Sequence, residues 1–101
     1  MPREMTEPAR PTAAAATPLP DLILYTRDGC HLCDEARDVL AGLLEERRIA
    51  GREVPLLVER DITTNQAWER AFVATIPVVE FGQKRLELAT SPTRLRRLLD
   101  G

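Results

Sequence analysis

The 101-residue sequence predicts an α/β domain, a four-stranded mixed sheet flanked by helices, in the order β-α-β-α-β-β-α. Three observations carry this. A short apolar run, Leu22-Ile23-Leu24-Tyr25, gives way within a few residues to apolar positions at helical spacing: Cys33, Ala36, Leu40, Leu43 and Leu44. A second strand-then-helix alternation follows, so the first half reads as a βαβ unit with parallel strands. Two further strand-like runs then stand either side of Gly82-Gln83, whose Gly-first composition suits a tight hairpin turn.

Taken in order, residues 1–20 carry five of the eight prolines, with Thr and Ala between them and no apolar period. This composition predicts a disordered tail and a domain over residues 21–101. Leu22 to Thr26 is the first strand, apolar almost throughout, as a buried central strand is. Arg27-Asp28-Gly29 connects it to a helix from about Cys30 or Leu32 to Arg48, ended by Ala50-Gly51. Val54 to Val58 is the second strand, and Pro55 near its start points to a sheet edge. Thr63 with Gln66 three residues on is a capping-box pattern. It opens a helix with Trp68, Ala71 and Phe72 as its apolar face, broken at Ala74-Thr75-Ile76-Pro77. Val78 to Phe81 and Lys84 to Leu88 form the hairpin. Ser91 as N-cap and Pro92 at the first helical position start the last helix, with Leu95, Leu98 and Leu99 as its buried stripe.

A chain this long forms one domain. With a net charge of -2 and 4% aromatic residues, it has no electrostatic case for nucleic acid or an anionic membrane and few platforms for base stacking. No segment is long enough to cross a bilayer, and Ala13 to Ala16 is too short for a signal-peptide core. Two cysteines are too few for the framework of a small secreted domain. The expectation is a cytoplasmic monomer whose thiols sit mostly reduced between turnovers.

Those two cysteines are Cys30-His31-Leu32-Cys33, at the junction of the first strand and helix. A helix start supplies unpaired N–H groups and a positive dipole end, both of which favour a thiolate. Cys30, nearest the loop, is the expected nucleophile. Cys33, one turn further in on the buried face, is the resolving thiol. Arg27 and Arg37 favour the thiolate; Asp28, Asp34, Glu35 and Asp38 oppose it. His31 reads either as a cation acting on Cys30 or as an exposed residue without effect. Other readings of the pair stand beside redox exchange. A structural disulfide would close too small a loop to stabilise much. A zinc site needs four ligands where the chain has two Cys and one His, so a metal or bridged iron–sulfur cluster would need carboxylates or a second chain. A binding module would keep the cysteines without cycling them. Trp68 and Phe72 read as core, and Arg94, Arg96 and Arg97 as a solvated face.

The element order, the Cys-x-x-Cys opening the first helix and Ile76-Pro77 before the third strand resemble the thioredoxin fold. The compact form, starting at the cysteine-bearing strand, resembles the glutaredoxins over about residues 22–100. Arg27 sits three residues before Cys30, where glutaredoxins usually carry a lysine, and Thr75-Ile76-Pro77 resembles their Thr-Val-Pro. The small bacterial glutaredoxin-like proteins with a Cys-His-Leu-Cys active site are the group it looks most like.

The resemblance implies a thiol–disulfide oxidoreductase that reduces a protein disulfide or a glutathione mixed disulfide, with glutathione or a reductase as electron donor. It implies no tightly bound cofactor and no metal. Its substrate contacts would come from Arg27, His31, Leu32, Thr75, Ile76 and Pro77. Pro77 would be cis, lie against the cysteine pair, shield it from metal, and expose the Ile76 backbone to an extended substrate. Glutaredoxins commonly read Cys-Pro-Tyr-Cys and carry a Gly-Gly pair before the last helix that helps bind glutathione. Counting from Thr75, that pair falls here at Glu87-Leu88.

Overall fold

The computed structural model describes residues 19–101. The expected tail falls, up to residue 18, outside the described residues. Leu19, two residues before the expected boundary, packs against the core.

Strands β1 (Leu22–Thr26), β2 (Leu57–Asp61), β3 (Val78–Phe81) and β4 (Lys84–Leu86) form one sheet in the order β2-β1-β3-β4. β2 runs parallel to β1, while β3 is antiparallel to β1 and β4 to β3. Alternation along β1 divides the core in two, because successive side chains leave a strand on opposite faces. Leu22 and Leu24, with Val79 and Phe81 of β3, meet the buried faces of helices α1 (His31–Ile49) and α3 (Pro92–Asp100). Ala36, Leu40 and Leu43 come from α1; Leu95, Leu98 and Leu99 come from α3. On the other face, Tyr25 and Val78 pack with Ile62, Phe72 and the half-buried Trp68 under the short helix α2 (Gln66–Phe72). Trp68 stands edge-on to Tyr25, with ring centroids 5.8 Å apart. Polar groups cross that face as a chain. Arg60 donates to the Tyr25 hydroxyl, that hydroxyl donates to Glu80, and Arg85 donates to Glu80. Burial first, then the Glu80 hydrogen bond, push the Tyr25 phenol above its ordinary value.

Four sequence expectations shift. The second strand is Leu57–Asp61 rather than Val54 to Val58, because β1 sets its parallel register, Leu22 opposite Leu57 through Thr26 opposite Asp61. It is an edge strand, and Pro55 lies just before it, where its missing N–H costs no ladder bond. The N-cap of α2 is Asn65, not Thr63. The Asn65 side chain accepts from the Ala67 and Trp68 N–H groups, while Thr63 belongs to a 3-10 turn (Ile62–Thr64) capped by Asp61. Ala71 is exposed, so the buried face of α2 is narrower than expected. The fourth strand stops at Leu86, because Leu88 turns the chain away with a φ of 48°.

The hairpin turn has Gly82 at a φ of 64°, the left-handed region glycine enters without strain. Ser91 caps α3 by accepting from the Arg94 N–H, with Pro92 opening the helix. One buried group was not foreseen. Arg47, on the inner side of α1, donates to the Glu53 carbonyl at 2.9 Å and to Asp100 at 3.0 Å. It ties the end of α1 to the loop before β2 and to the end of α3. Among the described residues, no helix is long and apolar enough to cross a membrane.

Candidate active site

β1 is the central strand that delivers the loop Arg27-Asp28-Gly29 to the start of α1. Gly29 takes a φ of 75° there, which lets the chain reverse into the helix. Cys30 follows as the N-cap of α1, in extended conformation, and its Sγ accepts the Cys33 N–H at 3.1 Å. One of the orphan donors of the helix start is therefore satisfied by sulfur. Cys30 is partly exposed, whereas Cys33 is only 1% exposed, held on the inner face of α1 one turn on. The two are joined as a disulfide, with Cα atoms 5.2 Å apart.

The remaining expected site residues divide by position. Val78 pairs with Tyr25, so Ile76-Pro77 enters the sheet at the end where β1 leaves it for Cys30. The Ile76–Pro77 peptide is cis and Pro77 is fully buried. The Thr75 carbonyl accepts the Leu88 N–H, and the Pro77 carbonyl accepts the Ala89 N–H, both at 2.9 Å. Ile76 offers less backbone than the resemblance implies. Its N–H is committed to the Phe72 carbonyl at 3.0 Å, closing the end of α2, which leaves only its C=O for an extended chain.

His31 is exposed and its Nε2 lies 3.2 Å from Glu35 Oε2, one turn along the helix, so it faces Glu35. Leu32 is 45% exposed, on the first turn beside the pair. Arg27 is exposed on the loop. Arg37 is spent elsewhere, donating to both carboxylate oxygens of Glu59 and to Asp34, contacts that raise it above the ordinary guanidinium value.

Asp61 ends β2 at the same end of the sheet. The hydroxyl and N–H of Thr63 hold its carboxyl below the usual value, with a smaller contribution from the charge of Arg27. Arg96 does the same for Glu46. Both carboxyls have folded values below their unfolded ones. Their contribution to stability is thus present above the unfolded value, near 4, and is lost as pH falls through the folded value. Acid should therefore lower the Tm between pH 6 and pH 3. The drop should be shallower in Asp61→Asn and Glu46→Gln, as a thermal melt series would show. Equal slopes in all three proteins would remove these carboxylates from the account.

A comparison with family models matches residues 21–100 to the glutaredoxin-like domain (DUF836). The chain belongs to this glutaredoxin-like family. The glutaredoxin-like domain thus covers every described element from β1 to α3. A solved structure from X. campestris, the Northeast Structural Genomics target protein XcR50, is 32% identical with a TM-score of 0.63. The match covers 78% of this chain and 95% of that one. Protein Ne2328 from Nitrosomonas europaea is 24% identical with a TM-score of 0.48, over 75% of this chain and 81% of that one. Comparison with curated proteins found no match.

Sequence reasoning overlooked Leu88 in this glutaredoxin-like domain. The motif count placed Glu87-Leu88 where glutaredoxins carry glycines. Glycine at that place in glutaredoxins is the available signal that residue 88 needs a glycine-like backbone, which Leu88 adopts at a φ of 48°.

Proposed function

We propose that the protein is a thiol–disulfide oxidoreductase acting through Cys30 and Cys33. The observation that carries this reading is the placement of the two sulfurs. One is partly exposed and caps a helix start by accepting the Cys33 N–H; the other is buried within bonding reach of it. In the reduced protein, the Cys33 N–H that meets Cys30 Sγ would favour a thiolate at Cys30, helped by the positive end of α1.

That thiolate attacks one sulfur of a substrate disulfide. A mixed disulfide forms, and the departing substrate thiolate takes a proton from solvent. Cys33 then gives up its proton and attacks Cys30 Sγ. The second substrate thiol leaves, and the Cys30–Cys33 disulfide remains. Two electrons pass from the dithiol to the substrate. A thiol donor, reduced glutathione or a reductase, resets the pair by the reverse exchange. The substrate is a protein disulfide or a glutathione mixed disulfide, met by the protein as a monomer in a reducing cytoplasm.

The test is a redox titration in glutathione buffers, with free thiols counted by mass-tagged alkylation. The expected result is one reversible two-electron transition between dithiol and disulfide, within about -120 to -270 mV. A pair that never cycles, or thiols masked by bound metal, would overturn the assignment.

A further inference from the structure

Two local choices at Leu88 are unfavourable, and they fall on the same residue. Its backbone lies in the left-handed region at a φ of 48°, where an L side chain crowds its own carbonyl. Its apolar side chain is 55% exposed. The turn itself is needed. Three backbone bonds define it: Leu88 N–H to Thr75 C=O, Ala89 N–H to Pro77 C=O, and Thr90 N–H to Leu88 C=O, each 2.9 Å. Together they seat Ala89 fully in the core. Glycine would meet that geometry without strain, and asparagine with little. Neither the turn nor the core therefore calls for leucine. A residue that breaks local rules while its surroundings hold it in place is a mark of a functional position.

Its location says which function. Leu88 is bonded to the residue before Ile76, whose carbonyl meets no backbone donor among the described residues. This is the end of the sheet where the Cys30 loop emerges. Leu32, also exposed, stands on the first turn of α1.

We propose that Leu88 is a specificity-determining residue: held outward beside Thr75–Pro77, it receives an apolar side chain next to the disulfide cysteine of a polypeptide substrate. This rests on the oxidoreductase reading. It makes that reading narrower, since a glutathionyl group is polar and charged and has no apolar side chain to cover Leu88.

The test uses reduced protein in single turnover with two disulfide-bridged peptides, identical except for Leu or Ser beside the cysteine, and with glutathione disulfide. The wild type should reduce the Leu peptide roughly tenfold faster than the Ser peptide, the size expected from partly burying one leucine. Leu88→Asn and Leu88→Gly should bring that ratio close to one while raising the Tm by relieving strain. Leu88→Met should keep the preference. A purely structural role would slow both peptides alike and leave the ratio intact. No preference in the wild type, a preference retained in Leu88→Asn, or fastest reaction with glutathione disulfide would overturn the role of Leu88. Failure to reduce any of the three would instead overturn the oxidoreductase reading itself.

Discussion

Cys30→Ser should abolish disulfide reduction, and Cys33→Ser should accumulate a covalent adduct with its substrate. Both follow from which sulfur solvent can reach. In Cys30→Ser the remaining thiol is Cys33, 1% exposed behind the first turn of α1, where no substrate disulfide can approach it in line. In Cys33→Ser the accessible Cys30 thiol is intact and the first exchange proceeds. The mixed disulfide then lacks its internal resolving thiol and waits for an external one. Substrate thiol release should fall to the uncatalysed rate in the first variant. In the second, intact-protein mass should rise by that of the substrate half, and a monothiol activity should survive on glutathione mixed disulfides. Full activity in Cys30→Ser would remove Cys30 as the nucleophile and leave the buried sulfur to explain.

Leu40→Ala should be among the most damaging single truncations for stability. Leu40 is fully buried in the larger core, on the helix whose first turn holds both cysteines, among side chains from β1, β3 and α3. Truncating a buried leucine costs about 2–5 kcal/mol, the lost transfer energy plus the cavity left behind. A domain of this size has roughly 4–12 kcal/mol in total. A loss of about 3 kcal/mol would lower the Tm by roughly 10–25 °C. Calorimetry or a circular dichroism melt measures it directly. At low temperature, where the variant remains folded, the redox midpoint should hold, since Leu40 lies two turns from the sulfurs. A Tm drop of less than a few degrees would mean that α1 re-packs freely against the sheet.

The parts of this fold legible in the sequence are those where independent local signals coincide. β1 is an apolar run buried on both faces, α1 begins at Cys30 and carries an apolar stripe, and α3 announces itself through Ser91 and Pro92. The parts that shifted depend on distant partners. β2 begins at Leu57 because β1 sets its register; its polar Glu59, Arg60 and Asp61 are strand residues only because an edge strand leaves them partly in water. Thr63 has the composition of a helix cap, but Asp61 claims it for a tighter turn and leaves the capping to Asn65. Arg47 looks like any basic residue near a helix end; its burial follows from Glu53 and Asp100 converging on it. At the candidate site, the cysteine spacing and the proline could be read residue by residue. The commitment of the Ile76 N–H and the left-handed backbone of Leu88 could not, because each depends on which carbonyl the fold brings alongside.

The Cys30 sulfur is both the group that would exchange partners and the acceptor that caps the start of α1. Chemistry at that sulfur therefore changes the electronic environment of a backbone amide, that of Cys33. A nitrogen-15 label at this one amide would act as an indicator built into the chain. Its proton resonance and its exchange with deuterated solvent should differ among dithiol, mixed disulfide and closed disulfide. Catalytic intermediates would then be countable in real time, with no dye and no alkylating reagent.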